Sequence, residues 1–548
     1  MSKPKIRTRF VVYSEVLPPC HPTVWSRQMQ SVPSNCGRLE GQTREISDSR
    51  STMSIASPSN APTQLDPNRW RALLVIAIAQ LMVVLDASIV NIALPSLQAD
   101  LGITDANRQW VVTAYTLAFG GLLLLGGRIS DFWGRKRAFM TGLLGFAGAS
   151  ALGGISINQE MLFASRALQG VFAALLAPAA LSLITTTFSD SKERAKAFGV
   201  YGGLSAGGAA IGLILGGLLT QYTSWRWTLL VNVPIAIGAY FLAIPNVKES
   251  KASGDTRYDI PGAITSTLGL VSLVYGITQA GELGWSDPIT LTWFGAAVVL
   301  LVAFFVIESR TSHPLLPMNI ILDRNRGASY LTSFIVGAGL FGMFLFLAYF
   351  FQGILEYSPL RAGLLFLPFS VGVGISAGIA SQALPRYGPR YVSFVGLIMA
   401  TVGMLLLTQL EPASAYISDI LPALMVLSLG MGLVFVPISA TALFGVGNHD
   451  AGVASAVLNT AQQIGGALGT AFLNTIAVTA TANYFVDNRI DPADPVNAGV
   501  VPVALTEGFT TAFMWSAGFM ILGALIWVFM INANKNTLGA NDAPVHVG

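Results

Sequence analysis

Charged residues are scarce in this sequence: only 11% of its 548 positions are Asp, Glu, Lys or Arg. A soluble protein carries about 25%, because its surface needs them. So low a content excludes a chain whose surface is mostly wetted. Cysteine is scarcer still: Cys20 and Cys36 both lie in the polar N-terminal stretch, so no disulfide framework holds the rest. The four histidines, His21, His313, His449 and His546, fall outside the apolar segments, and a metal cluster would need them to converge. No Gly-x-x-x-x-Gly-Lys-Ser/Thr loop occurs, which argues against ATP as an energy source. Neither a metal nor any other cofactor is expected.

What is abundant is apolar surface. Hydrophobic residues make up 53% of the chain and the mean hydropathy is +0.61. From Ala72 onward, apolar stretches of about the twenty residues that cross a bilayer follow one another. They cover roughly 72–95, 109–126, 138–157, 160–186, 197–220, 227–245, 260–280, 288–307, 328–351, 361–384, 391–410, 417–445, 452–482 and 507–531. Backbone groups in hydrocarbon must be satisfied within the segment, which favours helices over strands. The expected fold class is therefore all-α and integral to the membrane, with fourteen transmembrane helices.

The net charge of +3 is small, so its distribution matters more than its total. With Arg69 and Arg71 placed in the cytoplasm, sixteen further basic residues fall on that side. Only Arg108, Arg226, Arg361 and Arg489 fall on the other. Basic residues favour the cytoplasmic side, so both termini are expected inside. The loop 483–506, with Asp487, Asp491 and Asp494, is then external. Residues 1–52 hold eight Lys/Arg, four Asp/Glu and no long apolar run, which reads as disorder, and synthesis from Met53 is an alternative.

A weak repeat organises the spans. GGRISDFWGRKR (126–137) follows the second helix and SQALPRYGPR (381–390) follows the tenth, and aligning Gly134 with Gly388 pairs helices 1–6 with helices 9–14. Repeated six-helix halves with a site between them are an architecture of secondary carriers. The expected layout is a disordered cytoplasmic extension (1–68), a six-helix half (69–245), two inserted helices with a linker (246–327), a second half (328–532) and a cytoplasmic tail (533–548).

Two ionisable residues lie well inside helices: Asp86 in the first and Arg166 in the fourth. Such a charge near the bilayer centre costs at least about 2.5–3.5 kcal/mol and usually faces a cavity or a partner. Asp86 is the natural proton carrier, because moving between a dry site and one beside Arg166 would let it load and release a proton. A fixed structural ion pair is the alternative. Asn91 and Gln169 stand near these residues in sequence. Asn459 and Gln463 share one face of the thirteenth helix, and Tyr115 belongs to a set of aromatics suited to a binding wall. Each is a candidate for the substrate cavity, and each is equally a helix-packing group. In the fifth helix Gly199, Gly203 and Gly207 form one four-residue row and Gly208, Gly212 and Gly216 another, where a second helix can approach closely.

Taken in order, these motifs resemble the major facilitator superfamily, specifically its fourteen-helix, bacterial drug:proton antiporters of the EmrB/QacA type, over about residues 68–532. LDASIVNIALP (85–95) is similar to that family's first-helix signature, which implies Asp86 as the coupling acid. GGRISDFWGRKR resembles the signature between helices 2 and 3. This implies a conformational latch made of Gly127, Asp131, Gly134, Arg135 and Lys136, with the Asp131 charge engaging cations or a helix N-terminus between the halves. LFASRALQGVFAA (162–174) is similar to the motif that implicates Arg166 in proton transfer. Gly208, Gly212, Gly216 and Gly217 match the antiporter signature, except that Leu213 stands in place of its usual proline. WRWTLLVNVP (225–234) resembles the stretch leading into helix 6.

The resemblance implies a proton-coupled multidrug or antibiotic efflux carrier in the plasma membrane, working by alternating access and as a monomer. Its partners would be small amphipathic, often cationic molecules, protons and lipid, with no nucleic acid. A dedicated metabolite exporter or a nutrient importer on the same fold is the nearest rival. A membrane enzyme would need clustered acids, histidines or a nucleophile at the interface, and the sequence offers no convincing set. A non-transporting membrane sensor would bind without proton-dependent flux.

Overall fold

The structure, a computed structural model, describes residues 67–533 apart from 189, 252–258, 312–313, 316–320, 447–450 and 492–493. The expected disordered extension, with Cys20, Cys36 and the alternative start at Met53, lies outside the described residues, as does the tail beyond 533. Among the described residues there are helices and no strands.

In chain order these are α1 (Arg69–Leu101), α2 (Trp110–Trp133), α3 (Arg135–Gly154), α4 (Gln159–Thr187), α5 (Ser191–Tyr222), α6 (Trp227–Leu230) and α7 (Asn232–Asn246). They continue as α8 (Ile260–Leu283), α9 (Pro288–Arg310), α10 (Arg324–Tyr349), α11 (Pro359–Leu365) and α12 (Leu367–Leu407). The series closes with α13 (Leu421–Leu443), α14 (Ala451–Asp487) and α15 (Val501–Met530). Their starts are chemically marked. Asn158, Asp190, Asp259, Asp287, Asp323 and Ser358 each accept a hydrogen bond from a backbone N–H of the first turn, which satisfies a donor that the helix cannot.

Eleven helical stretches among the described residues are long and apolar enough to cross a membrane. The expected fourteen fit this count. One of the eleven, Pro359–Leu407, contains two crossings, because Gly388 at φ 79°, ψ 163° breaks the helix between the expected spans 361–384 and 391–410. α3 and the apolar part of α5, Gly207–Tyr222, lie where the other two are expected. The expected sixth span, 227–245, is split into α6 and α7.

Packing divides the helices into two bundles. α1 to α7 pack on one another, α10 and α12 to α15 do likewise, α8 pairs with α9, and the short α11 lies mainly against α5. Only 11% of the apolar window of α9 is buried, against 61% for α1, so α9 is peripheral. α8 nevertheless touches both bundles. Gln109 of the α1–α2 loop donates from Nε2 to Thr278 Oγ1 at 2.8 Å, and Thr475 of α14 donates to the Ile277 carbonyl at 3.0 Å.

α5 packs closely on helices of both bundles. A methyl group on Gly212 would collide with Ser88 of α1, and one on Gly216 would lie 2.8 Å from the Ile89 carbonyl oxygen. On its other side a methyl group on Gly217 would stand 2.7 Å from the Pro359 carbonyl oxygen, at the start of α11 in the second bundle. The 208/212/216 row and Gly217 therefore join three helices and both bundles. Gly207 of the other row faces open space.

Adding bulk at this seam forces backbone apart, at about 1–3 kcal/mol for overpacking. Gly216→Leu is expected to lower the thermal unfolding midpoint of the detergent-solubilised protein, while Gly207→Ala leaves it unchanged. Fluorescence-monitored melting of the two variants checks this.

Candidate functional site

Asp86 lies halfway along α1, and Arg166 lies two turns into α4. Neither side chain can reach water, with exposures of 0% and 1%. A lone buried charge costs several kcal/mol even after relaxation, so each needs a partner and further hydrogen bonds. They find each other: Arg166 Nη1 donates to Asp86 Oδ2 at 2.6 Å. Arg166 Nε donates to the Val111 carbonyl at 2.9 Å, and its guanidinium lies 4.6 Å from the centre of the Tyr115 ring. Gln169, one turn along α4, accepts from Arg166 Nη1 at 2.7 Å and donates to Asp86 Oδ1 at 3.0 Å and to Ser150 Oγ of α3 at 2.7 Å. Asn232, the first residue of α7, donates from Nδ2 to Asp86 Oδ1 at 2.7 Å.

The structure thus encloses Tyr115 and Gln169 with the ion pair, inside the first bundle. The other three residues considered for a cavity are placed differently. Asn91 and Gln463 are half-buried and Asn459 is exposed. The amides of Asn91 and Asn459 donate back to their own helices, to Ala87 and Ser455. Gln463 lies where α14 meets α2, with its Cβ 3.0 Å from where a methyl group on Gly120 would stand.

Of the expected latch residues, Asp131, Gly134, Arg135 and Lys136 lie at the α2–α3 turn, the latch end of the bundle. Gly134 has φ 127°, a conformation that glycine adopts without strain. Gly127 sits against Pro178 of α4. Asp131 pairs with Arg135 four residues on, at 2.8–2.9 Å, inside its own loop. The anion at the N-terminus of α3 is Glu249 instead. Its two oxygens accept from the backbone N–H groups of Lys136 and Arg137 at 3.0 and 3.2 Å, where the helix dipole favours negative charge. Lys136 Nζ in turn donates to the Ile244 carbonyl of α7. In the second bundle the corresponding turn at Gly388 has no acid. There the indole N–H of the fully buried Trp527 donates to the Pro389 carbonyl at 3.2 Å.

At the far end, where α1 meets α2, a clasp joins the bundles. Arg108 is 3% exposed. Its Nε donates to Asn474 Oδ1 of α14 at 3.0 Å, its Nη1 pairs with Asp105 at 3.2 Å, and its guanidinium lies 4.2 Å from the Tyr349 ring centre. Asn474 returns a bond to the Asp105 carbonyl, and Gln352 donates to the Ile92 carbonyl of α1.

Sequence reasoning did not single out Asn232, Glu249, Trp527 or the role of Arg108. A signal existed for Asn232, a polar residue within a quoted apolar motif. Glu249 was hidden in a charged loop, and nothing in the sequence pointed to Trp527. Among the described residues, no three His, Cys, Asp or Glu side chains are arranged to hold a metal.

Two apolar helical bundles, a charge pair sealed in one and polar clasps between them, define a multi-pass membrane carrier. The chain belongs to the Major Facilitator Superfamily, whose profile matches residues 76–470, and is a transporter, not an enzyme. It is 49% identical over 469 residues to the puromycin resistance protein pur8 of Streptomyces alboniger, covering 85% of this chain and 92% of that one. It is 36% identical over 459 residues to the cephamycin export protein CmcT of Amycolatopsis lactamdurans, covering 83% and 91%. Its backbone is similar to a bacterial homologue of the human lysosomal transporter Spinster in an inward-facing, unoccupied conformation. The TM-score is 0.60 at 15% identity, covering 87% of this chain and 98% of that one, a likeness of fold.

Arg166→Ala leaves Asp86 buried without its partner, and is expected to destabilise the protein by about 3–5 kcal/mol. The double variant Asp86→Asn/Arg166→Gln should recover much of that loss, as thermal melting in detergent will show. Arg108→Gln removes charge-assisted bonds worth about 1.5–3 kcal/mol. With spin labels at Thr223 and Glu411, one on each bundle at the far end, electron–electron distance measurement should find a longer-distance population in this variant.

Proposed function

We propose that this carrier is an exporter of drugs or antibiotics, driven by protons through Asp86 and Arg166 and working by alternating access between its two bundles. The supporting observation is the sealed Asp86–Arg166 pair, a titratable group held in a dry region. Two relatives named for puromycin resistance and cephamycin export point to the cargo. Others are named for lincomycin resistance and for tetracenomycin C resistance and export.

In this reading a proton binds Asp86 from outside as the drug leaves. Its release inside accompanies drug binding from the cytoplasm or the inner leaflet. One charge crossing the membrane gains about 2.3 kcal/mol per 100 mV, enough for a gradient of tens-fold, since about 1.4 kcal/mol is a factor of ten. No cofactor takes part. The latch end, rich in Lys and Arg, is cytoplasmic together with both termini, the membrane is the plasma membrane and the working unit is a monomer. The layout is two six-helix halves, 69–245 and 328–532, with the insertion 246–327 between them. The clasp around Arg108 and Asn474 then closes the external side, and the Gly127–Lys136 latch helps to set the balance between the two access states. The half-buried Asn91 and Gln463 and the exposed Asn459 are the polar groups available to a substrate between the bundles.

The relatives named for export favour a second reading on the same fold, in which the cargo is one dedicated metabolite rather than many drugs.

Inverted vesicles with an imposed proton gradient are expected to accumulate puromycin or a fluorescent lipophilic cation. Vesicles carrying an equal amount of Asp86→Asn are expected not to. Equal flux in both removes Asp86 from coupling. Flux of one compound and no other selects the dedicated exporter.

A further inference from the structure

The carboxyl group of Asp86 is surrounded by donors. Oδ2 accepts from Arg166, and Oδ1 accepts from both Gln169 and Asn232. This arrangement suits the ionised acid, which only accepts hydrogen bonds. A protonated acid must also donate one, and its neighbours decide where. Arg166 has no lone pair to offer, so the proton cannot sit between it and Oδ2. It must sit on Oδ1, where one of the two amides has to present its oxygen instead of its nitrogen.

Gln169 is not free to do so. Its Oε1 accepts from Arg166 and its Nε2 is shared between Asp86 and Ser150. Asn232 is free, because its Oδ1 is buried and has no hydrogen-bond partner. An orphaned buried carbonyl is unfavourable, and this one belongs to the side chain that touches the titrating oxygen. The Tyr115 hydroxyl is also unpaired, but it makes no hydrogen bond to Asp86. The charged and titratable groups around the carboxyl are Arg166 from α4 and Tyr115 from α2. α3 and α7 contribute the neutral Ser150 and Asn232, and α5 packs on α1 through glycines.

We propose that Asn232 is a positioning residue for proton exchange at Asp86, its amide donating to the carboxylate and, turned over, accepting from the protonated acid. The inference rests on the reading that Asp86 carries the coupled proton. The proton adds to Oδ1, and one N–H···O hydrogen bond is exchanged for one O–H···O hydrogen bond. No other covalent bond changes. Asn232 would thus keep the acid paired in both protonation states, so that loading a proton does not leave an unpaired O–H in an apolar bundle.

The test is infrared difference spectroscopy, across a pH step, on the full chain in lipid with its asparagine side-chain carbonyls labelled with carbon-13. Asp86→Asn identifies the protonated-acid band, and Asn232→Leu, or Asn232→Gln if the leucine variant does not fold, identifies the amide band. The expected result is an Asp86 carboxyl band that appears together with a downshift of the Asn232 carbonyl band. An Asp86 band with no change at Asn232 overturns the proposal while leaving Asp86 as the proton carrier. No Asp86 band over the pH range in which flux responds overturns the proton-carrier reading, and this inference with it.

Discussion

Much of the first bundle is arranged around one requirement: two opposite charges inside a membrane bundle must be paired and fully hydrogen-bonded. The attraction between Asp86 and Arg166 offsets the cost of drying them only if the geometry is good and the remaining donors and acceptors are satisfied. Five helices contribute. α1 supplies the acid and α4 the guanidinium and the Gln169 amide. α2 supplies the Val111 carbonyl and the Tyr115 ring, α3 the Ser150 hydroxyl and α7 the Asn232 amide. A shift of any one of them unpairs a buried polar group. Any change at the carboxyl is in this way tied to helix positions.

Between the bundles the contacts are of a different kind. Some are close backbone approaches allowed by glycine, as where Gly217 of α5 meets α11, and their strength is van der Waals contact over a short distance. Others are individual polar clasps, such as Arg108 with Asn474 or Gln352 with the Ile92 carbonyl. Few bonds with modest individual energies suit a seam that has to open and close. α8 adds a bridge from the lipid side, bonded to the α1–α2 loop and to α14.

The two bundles are alike in layout and unlike in chemistry. The turn after α2 is held by charge, with Asp131, Arg135, Lys136 and Glu249 all engaged. The equivalent turn at Gly388 is held by a neutral indole from α15. That SQALPRYGPR holds no acid, with Pro385 where the first copy has Asp131, is legible in the sequence. The contact from Trp527 is not, because that residue lies in a distant helix and looks like any other apolar position.

The sequence alone determined the helical class, the number of crossings it can accommodate, the expected orientation and the two intramembrane charges. Those properties follow from local composition: a stretch of about twenty apolar residues crosses a bilayer wherever it lies, and a charge within it stands out against its neighbours. Tertiary structure decided which polar residues are sealed and which are open. Gln169 and Asn91 looked alike in sequence, yet one bonds three helices around the ion pair and the other bonds only its own turn. It also decided that Glu249, over a hundred residues away in sequence, caps α3, and that Asn232 touches Asp86. Such pairings depend on helix rotation and contact across the bundle. Periodicity constrains both only weakly when nearly every face is apolar.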